Sequence, residues 1–199
     1  MELQRALSDL AEVRERLAQL QRFEGYSGPA AAASGLAAVV AALVQERIAP
    51  MPAAADSYYA YLTIWLGCLA VALALNYGAV AGWLLHHRAP GARSRFRTAA
   101  LSIAPSIVLG GALTFALVGH SAYVLLPGTW FAFYAIGLLA SRGALPSSTL
   151  GITLGFALLA LAFLVTPLSS VALAWWVMPI GFGAGQLALG YLIWLDHFS

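Results

Sequence analysis

Four long stretches of the chain carry no charged side chain, and their lengths predict the fold. Glu24 and Glu46 bracket 21 uncharged residues, Asp56 and Arg88 bracket 31, Arg97 and Arg142 bracket 44, and Arg142 and Asp196 bracket 53. A transmembrane helix needs about 20 mostly apolar residues. The first two stretches therefore predict one span each and the last two predict two each. The runs are continuous, without the period-two alternation of a barrel strand, so helices are expected. Turn and breaker residues place the six spans at about 28–48, 57–86, 98–118, 122–140, 147–165 and 170–195. The fold expected is an all-α membrane protein with six transmembrane helices.

Composition supports this class. Of the 199 residues, 61% are hydrophobic and 9% charged, against about 25% charged in an average soluble domain. A disordered chain would need the opposite balance.

The basic residues orient the bundle. All ten are arginine. Arg5, Arg14, Arg16 and Arg22 precede span 1, Arg88, Arg93, Arg95 and Arg97 lie between spans 2 and 3, and Arg142 lies between spans 4 and 5. Only Arg47 falls on the other side of a six-span chain. Under the positive-inside rule both termini are cytoplasmic, and five or seven spans would scatter the bias. A bacterial inner membrane, multi-pass location is expected. The first residues are charged and lack a short apolar region, so span 1 is expected to act as the insertion signal. Tyr58, Tyr59, Tyr61, Trp65, Trp175 and Trp176 are expected as outer interface anchors, and Trp83, Phe96, Trp194 and Phe198 as inner ones.

Half of the charge lies in the first 24 residues, which divides the chain into a cytoplasmic amphipathic segment, 1–25, and a six-helix bundle, 26–199. Leu3, Leu10 and Leu17 are seven apart, as are Ala6, Val13 and Leu20. Together they form the a and d seam of a three-heptad, coiled-coil-like helix. Asp9 at g and the following Arg14 at e match the pairing between parallel chains. Two readings stay open: self-association or docking of a partner helix, and packing on the protein's own cytoplasmic loops. Five acids against four arginines count against a pure lipid binder. Gly25, Ser27, Gly28 and Pro29 form the hinge into span 1, with Pro29 suited to a first helical turn.

Small residues recur where helices pack: Gly28, Gly35 and Ala42 in span 1, Ala70, Ala74, Gly78 and Gly82 in span 2, Gly151 and Gly155 in span 5, and Gly181 and Gly185 in span 6. Pro105 and Pro179 are expected as helix breaks, because proline removes a helical donor and crowds the carbonyl four residues earlier.

Candidate chemistry is sparse. No Asp, Glu, Lys or Arg falls in the middle of a span, which argues against a proton pump, an ion-coupled carrier or a voltage sensor. Asn76, Tyr77, Thr114, Thr129, Thr153 and Gln186 are the polar residues expected within spans. Asn76 and Gln186 share the cytoplasmic half and are expected to be able to meet. His86, His87 and His197 gather at the cytoplasmic face, but adjacent histidines on a helix point about 100° apart and rarely chelate together. No cofactor, metal site or catalytic residue is expected. Cys68, alone in the chain, excludes an internal disulfide. The basic loop from Arg88 to Arg97 suits acidic lipid headgroups as well as topology.

Gly110-Gly111, the stretch LLPGTWFAFYAIGLLASRG from Leu125 to Gly143, GFGAGQLALGYLIWLDH from Gly181 to His197, and RFEGYSG from Arg22 to Gly28 resemble a family of small uncharacterised bacterial inner-membrane proteins. The resemblance implies the six-span fold with an amphipathic start, and brings no activity. Members often carry a histidine where this chain has Gln186 and a lysine near Arg142.

The expected function is that of a non-enzymatic interaction or regulatory module, self-associating or docking a partner protein through the seam of residues 2–23. Its partners are the lipid bilayer and a second copy or another protein, with no nucleic acid. The alternative is a small transporter or channel for a neutral or apolar solute, motivated by Pro105, Pro179 and the glycine-rich last span. A third reading is a cofactor protein using the cytoplasmic-face histidines.

Overall fold

A computed structural model describes residues 26–86, 92–165 and 171–196. The heptad seam from Leu3 to Leu20, together with His87 and His197, lies outside the described residues. Six α-helices follow one another: α1 (Gly28–Ile48), α2 (Ala55–His86), α3 (Ala92–Gly119), α4 (Leu126–Ala140), α5 (Leu150–Val165) and α6 (Ala184–Asp196). Short 3-10 turns, Tyr123–Leu125 and Ser147–Thr149, lead into α4 and α5, and a π-helical turn, Pro179–Gly183, leads into α6. Five segments are long and apolar enough to cross a membrane: Gly28–Ile48, Ala55–His86, Phe96–Gly119, Tyr123–Ala140 and Ser147–Val165. The protein is thus all-helical over its described residues and built as a multi-pass membrane protein.

The bundle is organised around α1. This helix packs against both α2 and the π turn with α6, while α4 packs between α3 and α5. Ser27 caps the start of α1 by accepting from the Ala30 amide, with Pro29 in the first turn, as the hinge residues predict. Gly28, Ala31, Gly35, Ala38, Ala42 and Gln45 are all buried and recur at alternating steps of three and four, so they form one continuous face.

That face meets α6 at backbone contact. A methyl group added at Gly28 would sit 2.7 Å from the Gly190 carbonyl oxygen, and one at Gly190 would sit 2.7 Å from the Gly28 carbonyl oxygen. One turn pair deeper, a methyl at Gly35 would lie 2.9 Å from the Gly183 carbonyl oxygen. Both glycine pairs are spaced by seven residues, and the helices run antiparallel, so 28 meets 190 and 35 meets 183. Dispersion across so close an approach drives association where no hydrophobic effect acts between helices.

Contacts also define the two ends of the bundle. Tyr26, Trp83, Leu84, Phe96 and Ala144 pack around Val80, which brings the start of α1, the end of α2, the start of α3 and the chain after α4 together. At the opposite end, Tyr58 of α2 stacks on Tyr123 with ring centroids 4.2 Å apart, and the Trp175 amide donates to the Pro50 carbonyl. Arg93, Arg97 and Arg142 belong to the first end and Arg47 to the second.

Several boundaries depart from expectation. The last span was expected from residue 170, yet 171–176 form irregular turns and helix begins only at 177. Helix α3 begins at Ala92 and runs without interruption through Pro105 to Gly119, so Pro105 is no break. Its ring faces outward, where lipid can accommodate the crowded turn. Pro179 does alter the helix, opening the π turn. The small-residue pattern also splits. Gly181 and Gly185 accept the rings of Phe131 and Phe156. Gly78, Gly82, Gly151 and Gly155 face open space, so the expected packing stripes of α2 and α5 do not serve this bundle.

The close approach gives a direct test. Gly190→Leu is expected to lower stability by about 1–3 kcal/mol or more, as overpacking against backbone does, whereas Gly155→Leu stays within about 0.5 kcal/mol of the parent. Thermal unfolding of both variants in detergent micelles checks the contrast.

Candidate functional site

The polar side chains inside the bundle form two neutral centres, one toward each end. The first is built on Gln45, which is 0% exposed on the last turn of α1. Its Nε2 donates to the Leu173 carbonyl at 2.8 Å and to the Ala49 carbonyl at 3.2 Å, and its Oε1 accepts from the Trp65 indole at 2.7 Å. The side chain thus joins α1, α2 and the irregular segment before α6. Gln45 thereby satisfies the Leu173 carbonyl within that irregular segment. Beside it, the Tyr61 ring lies parallel to that of Trp130, with centroids 6.1 Å apart. The Trp130 indole donates to Thr114 Oγ1 at 2.8 Å, and Thr114 donates to the Gly110 carbonyl at 2.7 Å.

The second centre spans four helices. Asn76 Nδ2 on α2 donates to Ser34 Oγ on α1 at 2.8 Å and to its own helix at Ala72, while Ser34 Oγ donates to the Ala30 carbonyl. Gln186 Nε2 on α6 donates to the Tyr134 hydroxyl on α4 at 2.8 Å. Tyr26, just before α1, lies nearby: burial raises its phenol above the ordinary value. The hydroxyl therefore stays neutral and able to donate across the physiological range.

Aromatic rings fill the space between these centres. Phe131, Phe156, Tyr134 and Phe182 contact one another with centroids 4.5–5.9 Å apart. Phe182 lies in the π turn; Gly181 within that turn and Gly185 just after it are the seats for Phe131 and Phe156. The widened turn and the missing side chains together let three aromatic residues from α4 and α5 reach the last helix. π turns occur often at functional positions.

The sequence-predicted candidates are placed as follows. Asn76 and Gln186, expected to be able to meet, are joined instead to Ser34 and Tyr134, because α1 stands between α2 and α6. His86 is exposed at the end of α2, with Nδ1 2.7 Å from the Gly82 carbonyl. Among the described residues no three His, Cys, Asp or Glu side chains gather as metal ligands. Tyr61 and Trp65, expected as lipid-interface anchors, are 1% and 4% exposed and point into the bundle, whereas Tyr59 faces outward. Gln45 was not among the expected polar candidates. Its signal was present as an amide at the end of a small-residue face, but its partner lies 128 residues away.

The two centres differ in what they satisfy. Gln45→Leu orphans a buried carbonyl and a buried indole, and is expected to cost about 2 kcal/mol or more. Tyr134→Phe with Gln186→Leu removes an interhelical pair together and should cost less, since such bonds average about 0.6 kcal/mol. Unfolding midpoints of the single and double variants in micelles give both values. Searches for related proteins find no family, no curated protein and no solved structure that matches this chain.

Proposed function

We propose that the chain is a six-span inner-membrane protein with both termini cytoplasmic, serving as a non-enzymatic interaction or regulatory module. In this reading residues 2–23 form the contact element, and the bundle is its rigid mount. The observation that supports it most is the seating of Gly28, at the start of α1, against the α6 backbone at Gly190 and Trp194. The segment carrying the heptad seam leads, within a few residues, into the helix on which the whole bundle is assembled. Association through Leu3, Ala6, Leu10, Val13, Leu17 and Leu20 would then act on the core and not on a peripheral helix. The arginine bias supports the orientation, and the uncharged span interiors agree with a protein that moves no ions.

A second reading is a carrier for a small neutral solute. It is favoured by the π turn Pro179–Gly183 beside the Tyr134–Gln186 hydrogen bond, since broken helices line many transport sites.

Deletion of residues 2–23 is expected to lower the mass of the purified protein–detergent complex, or to release a co-purifying partner, while the unfolding midpoint of the bundle is kept. Leu10→Asp with Leu17→Asp should reproduce the loss. An unchanged mass and partner set in both variants overturns the proposal. For the second reading, proteoliposomes should swell faster in glycerol than empty vesicles, and Gln186→Leu should abolish the excess.

A further inference from the structure

Helix α3 has two distinct faces. Phe96, Ala100, Ile103, Ser106, Gly110 and Thr114 are buried or half-buried and turn toward the bundle, Gly110 and Thr114 meeting Phe133 and Trp130 of α4. Arg93, Arg97, Leu101, Pro105, Val108 and Phe115 are all exposed, and their steps of four, four, four, three and seven place them on one side of the helix. Phe115 is 84% exposed, Val108 68% and Leu101 60%. The outward face thus begins with two guanidinium groups one turn apart and continues as an apolar stripe.

Between Asp56 and Asp196 the chain contains no Asp or Glu, yet it holds Arg88, Arg93, Arg95, Arg97 and Arg142. Among the described residues neither Arg93 nor Arg97 makes an ion pair. Among the described residues, Asp196 is the acid that shares their end of the bundle. The apolar run suited to the membrane starts at Phe96, so Arg93 and Arg97 flank the point where the helix enters it. Their Cα atoms are about 6 Å apart along the axis. Guanidinium pairs at that spacing bracket a phosphodiester, with bidentate hydrogen bonds to its oxygens.

We propose that Arg93 and Arg97, with the outward stripe Leu101, Pro105 and Val108, form a binding site for an anionic phospholipid. The guanidinium pair holds the headgroup phosphate and the stripe carries an acyl chain. From Leu101 to Val108 the stripe covers about 10 Å of helix, within the roughly 15 Å depth of one leaflet of a ~30 Å hydrocarbon core. Topology alone requires positive charge between α2 and α3. It does not require two arginines in line with an exposed apolar face. The orientation proposed for the bundle is not needed, since the site depends only on α3 entering the membrane near Phe96.

The full-length protein in neutral detergent, mixed with phosphatidylglycerol or phosphatidylcholine and analysed by native mass spectrometry, tests the site. The parent is expected to retain phosphatidylglycerol several-fold over phosphatidylcholine. R93Q with R97Q should reduce that retention to the phosphatidylcholine level, while R142Q leaves it unchanged. Millimolar glycerol phosphate should not displace the lipid, because it lacks the acyl chain. Equal retention of both lipids by the parent, undiminished retention by the double variant, or displacement by glycerol phosphate overturns the proposal. Should the double variant fail to fold, salt serves on the parent: loss of phosphatidylglycerol at 0.5 M NaCl, where the Debye length falls to about 4 Å, supports the site, and salt-independent retention overturns it.

Discussion

Backbone contact between α1 and α6 is the constraint on which the other arrangements rest. Two helices approach this closely only where neither carries a side chain at the crossing, and Gly28, Gly35, Gly183 and Gly190 supply four such positions. The contact joins the first described helix to the last, so it closes the bundle over a long separation in sequence. Once it is made, α2 must lie on the free side of α1, and the α3–α4–α5 layer must meet α6 through side chains. The rings of Phe131 and Phe156 make that second junction by filling the gaps over Gly181 and Gly185. A substitution at the glycine crossing would move both layers, whereas one at the open Gly151 or Gly155 would move neither.

Polar groups then decide how the ends are finished. A buried amide in a bilayer must find partners within the protein. Gln45 finds three, and through the Leu173 carbonyl it holds a short irregular segment where a full-length last helix was expected. The price of that segment is offset by hydrogen bonds from α1 and by the burial of Ala172, Leu173 and Ala174. At the other end Asn76, Ser34, Gln186 and Tyr134 make separate, weaker connections across the same layers. Both centres are built from neutral side chains.

The outer surface is divided in a comparable way. Helix α2 presents small residues to the surroundings, and α3 presents arginines followed by large apolar side chains. The glycines of α2 therefore do not serve the internal packing suggested by their spacing. A four-residue repeat of small residues reports that a close approach is permitted; it does not report which helix, if any, makes it.

Much of the architecture was legible in the sequence, because it follows from single-helix properties. Uncharged run lengths set the number and rough limits of the helices, since each needs about 20 apolar residues to cross a bilayer. Ser27 and Pro29 marked the start of α1, and Gly119, His120 and Ser121 marked the turn before α4, where Ser121 adopts a φ of 56°. The sequence also determined that the helical interiors are uncharged. What only the tertiary structure decided were the relations between helices. It placed α1 between α2 and α6, and so kept Asn76 from Gln186. It turned Tyr61 and Trp65 inward, gave Gln45 its distant partner, and let Pro105 face outward in an unbroken helix while Pro179 opened a π turn. Hydropathy is nearly uniform around these helices, so it carries no information about which face is buried. In a lipid environment that choice is made by shape and by hydrogen-bond partners, and both exist only once the helices have met.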